Sequence, residues 1–113
     1  MQKVQPQFSP MDKFFCDVNG PGGRSPIPPM SVHKLRPGDI DIVGAMGDSL
    51  TAGNGALANN IVEVLIENKG VSFMGGQANW RKFLTVANIL KEFNPNLYGY
   101  SLADGYSTHN SAR

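Results

Sequence analysis

The chain has 113 residues, with ten basic and nine acidic side chains for a formal net charge of +1. That length holds one domain or part of one, and the balanced, scattered charge leaves no electrostatic footprint for nucleic acid or an anionic membrane. No run approaches the ~18 apolar residues of a membrane span, and the first ten residues lack the apolar stretch of a secretory signal. A single cysteine, Cys16, excludes an internal disulfide and any cysteine-rich metal site. It reads either as a solitary thiol or as half of a disulfide whose partner lies elsewhere.

Six of the eight prolines fall within residues 1–30 (Pro6, Pro10, Pro21, Pro26, Pro28 and Pro29), with Gly20, Gly22 and Gly23 among them. This composition holds neither a helix nor a ladder and predicts a flexible arm or linker, with Phe8, Phe14 and Phe15 available to pin it to a surface. Residues 31–113 form the second unit. His33 follows in Ser31-Val32-His33-Lys34 and reads as a loop histidine, since nothing in the sequence puts it beside a nucleophile. Asp39-Ile40-Asp41 offers two carboxylates without a third ligand, so its alternation reads as the polar lead into a strand instead of a metal site.

Ile42, Val43, Ala45 and Met46 predict a buried strand, which breaks at Gly47-Asp48-Ser49. After that turn, Asn60 with Glu63 three residues on has the form of a helix N-cap, and Gly70 has the form of a closing residue; Ile61 to Ile66 also fits a strand, but length and caps favour a helix over 60–70. Residues 71–74 predict a short strand or extended loop ended by Gly75-Gly76. The strongest periodicity lies in 80–93, where Phe83, Val86, Ala87, Leu90 and Phe93 recur at three- and four-residue steps. Arg81, Thr85, Asn88 and Glu92 mark the opposite face. Asn94-Pro95 stops that helix, and 97–102 predicts another strand. The sum is a parallel α/β arrangement, incomplete because a flavodoxin-like sheet has ~5 strands and parallel strands need cover on both faces.

The chemistry concentrates where the first strand ends. Open α/β sheets place their sites at the carboxyl ends of strands, so Ser49 is a candidate nucleophile and its own backbone N–H a candidate oxyanion donor. Asp48 is assigned turn support, as aspartates in tight turns commonly bond nearby backbone. Other strand-to-loop motifs fail. Gly-x-Ser-x-Gly does not fit, because Asp48 and Leu50 flank the serine and Thr51 follows, and no P-loop occurs. Gly53-Asn54-Gly55-Ala56-Leu57-Ala58 matches the loose dinucleotide pattern Gly-x-Gly-x-x-Ala, but no acid follows the next strand to hold a ribose.

Gly47-Asp48-Ser49-Leu50 followed by Thr51-Ala52-Gly53-Asn54-Gly55 resembles the first motif block of the GDSL (SGNH) hydrolases. Ser31-Val32-His33-Lys34-Leu35-Arg36-Pro37-Gly38-Asp39-Ile40 is similar to the lead-in of their phospholipase B branch. Gly70-Val71-Ser72-Phe73 and Thr85-Val86-Ala87-Asn88-Ile89-Leu90-Lys91-Glu92-Phe93-Asn94-Pro95 extend the resemblance, which runs from about Ser25 to the end. It implies an incomplete three-layer flavodoxin-like (SGNH hydrolase) sheet, with 31–113 as the amino-terminal part of the hydrolase domain. It further implies a serine ester hydrolase acting on phospholipid or other acyl esters, with no metal or organic cofactor. Membrane contact is expected only through substrate or regions outside this chain, in a secreted or cell-surface protein.

In the family a glycine and an asparagine of later blocks complete the oxyanion hole, and an Asp-x-x-His supplies the base. Neither block is found here. Asp104 and His109 stand five apart instead of three, so no catalytic base is assigned. The chain is expected to be a fragment, nearly inactive alone, since losing a triad histidine costs roughly 10^4–10^6-fold in kcat. The competing expectation is a non-catalytic truncated α/β module that binds a partner or ligand through exposed strand edges.

Overall fold

The computed structural model describes residues 5–106. Its one α-helix, α1 (Val86–Phe93), starts six residues later than the periodicity predicts. The reason is local. Thr85 caps the helix, its hydroxyl accepting the Asn88 N–H at 3.0 Å and donating to the Gly75 carbonyl at 2.6 Å. Upstream, Asn79 draws the chain into a separate turn, its side chain accepting the Arg81 N–H at 3.0 Å and its carbonyl accepting the Phe83 N–H at 2.9 Å. Cap side chains compete with the helix ladder in this way.

The face of α1 read as solvent-facing is partly core. Asn88 is fully buried, and its amide donates to the carbonyls of Gln77 and Phe83 at 3.0 and 2.8 Å. A buried NH2 group bonded to two loop carbonyls acts as a polar peg and fixes the 75–85 connection to the helix, while the Asn88 Oδ1 has no hydrogen-bond partner among the described residues. Lys91 pins the same loop through the Gly76 carbonyl at 2.7 Å, its ammonium over the Tyr100 ring, and partial burial draws its pKa downward.

The segments read as strands meet in parallel only at single bridges, Ile42 with Tyr98 and Gly75 with Ser101. Segment 97–102 therefore lies between the other two. Residues 71–74 are not a strand but the end of a 3-10 turn, Lys69–Val71, and the turn after it. Of the buried strand expected at 42–46 only Val43 is buried; Ile42 and Met46 are exposed because the single bridge leaves them uncovered. The Val43 N–H donates to the Tyr98 carbonyl at 2.8 Å and the Gly76 N–H to the Ser101 carbonyl at 2.8 Å. α1 covers this junction, and Val43, Ala87 and Leu97 form the buried centre with Ile40, Met74, Leu90 and Tyr100 packed around it. Gly99 makes the close approach possible. Its φ is +97°, and a Cβ there would run into the Val43 carbonyl. Gly99→Ala should cost about 1–3 kcal/mol, read as a lower urea midpoint; an unchanged midpoint would mean that the 43–98 junction does not form.

The predicted helix over 60–70 is not found. The chain instead makes a 3-10 turn, Glu63–Leu65, and then strand β1 (Ile66–Glu67), which pairs antiparallel with β2 (Gly105–Tyr106). The Glu63 carboxylate folds back onto the Asn59 N–H and the Asn60 amide, both at 2.7 Å, which tightens the turn. Ile61, Val62, Val64 and Ile66 are β-branched and lose side-chain freedom in a helix. Glu67 also bridges Asn54. Pairing on two sides outweighs the cap signal.

Residues 5–30 carry no helix or strand, yet two sets of contacts hold them. Phe8 packs tilted and Phe14 edge-on against Trp80 with ring centroids at 5.0 and 5.3 Å, and Phe14 meets Phe93 edge-on at 5.8 Å. The second set explains Asp39 and Asp41. Asp39 accepts the Ser25 N–H at 2.7 Å, the Ser25 hydroxyl at 2.8 Å and the Arg36 N–H at 3.0 Å. Asp41 takes both Arg24 guanidinium nitrogens and the Asn94 amide. The two carboxylates are structural clasps.

Both are held below the ordinary carboxylate range, Asp39 chiefly by the Ser25 N–H and Asp41 chiefly by its hydrogen bond from Arg24. A lowered folded-state pKa means that the unfolded chain binds protons first on acidification. The stabilisation is therefore present above about pH 4, the unfolded carboxylate value, and is lost as pH falls through the folded values. Urea midpoints should drop between pH 5 and pH 3, and drop less in Asp41→Asn; equal drops would remove Asp41 from this role. No helix among the described residues is long and apolar enough to cross a membrane.

Candidate active site

Beyond Val43 the chain runs extended and exposed to Gly47, then closes a compact turn. Asp48 Oδ1 accepts the Leu50 N–H at 2.9 Å, and the Asp48 carbonyl accepts the Ala52 N–H at 3.0 Å. The Ser49 carbonyl accepts the Asn54 N–H at 2.9 Å. Gly47 is required by packing, because a Cβ there would press on the Thr51 side chain, with Thr51 Cβ only 2.8 Å away. Ser49 thus stands exposed on a turn braced by its own neighbours. Among the described residues neither its hydroxyl nor its backbone N–H has a hydrogen-bond partner.

Ser49 lines a cavity of about 930 Å³. One wall is the serine turn with Asp48, Thr51 and Asn54; another is residues 97–102, including Tyr98, Tyr100 and Ser101; Glu67, Lys69, Ser72 and Met74 complete it. Glu67 and Lys69 form an ion pair at 2.7 Å, with side chains 11% and 25% exposed. Reading 60–70 as a helix hid this pair, because residues two apart on a helix do not face each other. Glu67 instead ends β1 and Lys69 opens a 3-10 turn, Lys69–Val71, with Asn68 between them at φ −85° and ψ 56°, and this break in the chain brings the two side chains together.

Other sequence candidates lie elsewhere. His33 is exposed in the 3-10 turn Val32–Lys34, outside the cavity wall. Asp104 is exposed and also outside it, and His109 falls outside the described residues. Trp80 is a packing residue, 1% exposed. Cys16 is exposed and unpaired. No cluster of histidine, cysteine and carboxylates suited to a metal occurs among the described residues.

The Gly53-to-Ala58 stretch does not form a phosphate cradle. All six of its backbone N–H groups are taken, by the carbonyls of Leu50, Ser49, Ile66, Gly53 and Gly55 and by the Asn68 side chain. Phosphate loops depend on free N–H groups converging on the ligand.

Comparison with known proteins makes the chain a phospholipase B-like sequence. It is 49% identical over 87 residues to human "Phospholipase B1, membrane-associated", covering 74% of this chain. It is 48% identical over 96 residues to the rat protein of that name, and 46% identical over 102 residues to the mouse one, covering 82% and 88% of this chain. The chain spans only 6–7% of the length of these relatives. No protein-family model matches it, and no solved structure does.

Proposed function

We propose that this chain carries the nucleophile segment of a phospholipase B-like serine hydrolase of the GDSL (SGNH) type, which cleaves acyl esters of phospholipids or related lipids. The observation that carries the reading is Ser49, exposed on a braced turn in the wall of a 930 Å³ cavity, in a chain 46–49% identical to phospholipase B1 proteins. Attack by Ser49 Oγ on the ester carbonyl forms an acyl-Ser49 intermediate and releases the alcohol; water then releases the fatty acid. The Ser49 N–H supplies one donor to the developing oxyanion. Exposed Met46 and Leu50 on either side of the serine suit an acyl chain.

The base that accepts the serine proton comes from sequence other than the described residues, since no histidine lines the cavity. On this reading the chain is part of a longer enzyme with a flavodoxin-like sheet, in which the parallel junction of 42, 98, 75 and 101 is one portion.

The test is product analysis with a form carrying the later motif blocks and a diacyl glycerophospholipid as substrate. Free fatty acid is the expected product. Release of the phosphorylated head group with both acyl esters intact would contradict an acyl-ester hydrolase.

A further inference from the structure

Among the described residues, Lys69 is the one cationic side chain that lines the cavity of Ser49. Its backbone is held on both sides. The Asn68 N–H donates to the Gly53 carbonyl at 3.2 Å, and the Lys69 carbonyl accepts the Ser72 hydroxyl at 3.0 Å. The ammonium lies 2.7 Å from Glu67 Oε2. Glu67 is itself fixed, by pairing with Gly105 and by its bridge to Asn54, whose N–H reaches the Ser49 carbonyl at 2.9 Å. Two backbone contacts therefore link the ion pair to the nucleophile.

The two members of the pair are not equally placed. The Glu67 side chain is 11% exposed with its Oε2 sealed from solvent, whereas Lys69 is 25% exposed and its ammonium is not sealed. The carboxylate lies deeper, and a ligand entering the cavity meets the ammonium first. An ammonium carries three N–H donors, and among the described residues no acceptor besides Glu67 meets this one. A charge drawn partly out of water needs further hydrogen bonds to offset its desolvation, and a phosphate oxygen supplies them. We infer that Lys69 Nζ binds the phosphodiester of the substrate and makes the site selective for a phospholipid over a neutral glyceride. This rests on the ester-hydrolase reading above. In a diacyl glycerophospholipid only the glycerol unit separates the ester from the phosphate, so one cavity of about 930 Å³ takes both.

The test is an NMR titration of the isotope-labelled full chain with dibutanoyl glycerophosphocholine, with dibutanoylglycerol and with inorganic phosphate. The first ligand has no net charge, so the +1 charge of the chain gives it no general advantage. Wild type should bind it roughly tenfold more tightly than dibutanoylglycerol, and more tightly than inorganic phosphate. Lys69→Gln should bind the phospholipid and the glyceride equally, whereas Lys69→Arg should keep the preference. A purely structural role would weaken both ligands alike and leave their ratio unchanged. If Lys69→Gln fails to fold with the Glu67 carboxylate left without that cation, Glu67→Gln combined with Lys69→Gln removes both charges and should lose the preference too. Equal binding of phospholipid and glyceride by wild type overturns the proposal, as does a preference that survives loss of Lys69. Inorganic phosphate binding as tightly as the phospholipid, or binding of none of the three, overturns it as well. The ester-hydrolase reading is decided separately, by covalent labelling of Ser49.

Discussion

Trp80→Ala is expected to lower the free energy of unfolding by about 3–5 kcal/mol, the range for truncating a buried aromatic. Trp80 is 1% exposed and gathers three rings of the amino-terminal segment, Phe8, Phe14 and Phe15, with centroids at 5.0, 5.3 and 6.0 Å. The Arg81 guanidinium covers its ring at 4.6 Å. Gln5 adds bonds to the Trp80 and Arg81 carbonyls at 3.1 and 3.2 Å and accepts the Leu84 N–H at 2.8 Å. Without the indole this cluster loses its centre and residues 5–15 lose their anchor. Domains have only about 5–15 kcal/mol in total, so a large fraction of the variant should be unfolded. Urea unfolding and limited proteolysis read the effect. Unchanged stability would mean that the amino-terminal segment does not pack on Trp80.

Ser49→Ala is expected to reduce kcat by about 10^6-fold in a catalytically competent form, in line with loss of a serine nucleophile. The change removes one oxygen from an exposed side chain that makes no hydrogen bond among the described residues. Stability should therefore move by no more than ~0.5 kcal/mol, and substrate binding should be little changed. That separation matters. A variant that lost activity together with its fold would say nothing about the nucleophile, whereas one that kept its fold and its activity would show that Ser49 is not the group attacking the ester.

What the sequence disclosed follows from how local each signal is. The serine turn was legible because its determinants sit within a few residues: Asp48 bonds Leu50, and Gly47 makes room for Thr51. The carboxyl end of α1 was legible for the same reason, since Asn94-Pro95 ends it at Phe93. Its start was not, because Thr85 acts through Gly75, ten residues away. Asn88 looked like surface by periodicity and is a buried peg, because its partners at Gln77 and Phe83 belong to a loop that periodicity does not describe.

The 60–70 stretch failed on a conflict between levels. Its cap residues favour a helix, but the backbone of Glu67 is claimed by Asn54 and Gly105, both distant in sequence. Non-local pairing overrides local propensity. With it went the Glu67–Lys69 pair and the neighbourhood of Asn54, which shape the cavity beside the serine. The clasp made by Arg24, Ser25, Asp39 and Asp41 was equally hidden, because it joins residues 14 to 17 positions apart.

Reaction with an alkyl fluorophosphonate, followed by peptide mapping of the adduct, tests the central claim most directly. A form of the protein carrying the later motif blocks should gain one phosphonyl group on the peptide containing Ser49, and Ser49→Ala should gain none. An adduct on another residue, or equal labelling after Ser49→Ala, would contradict the assignment of Ser49 as the nucleophile.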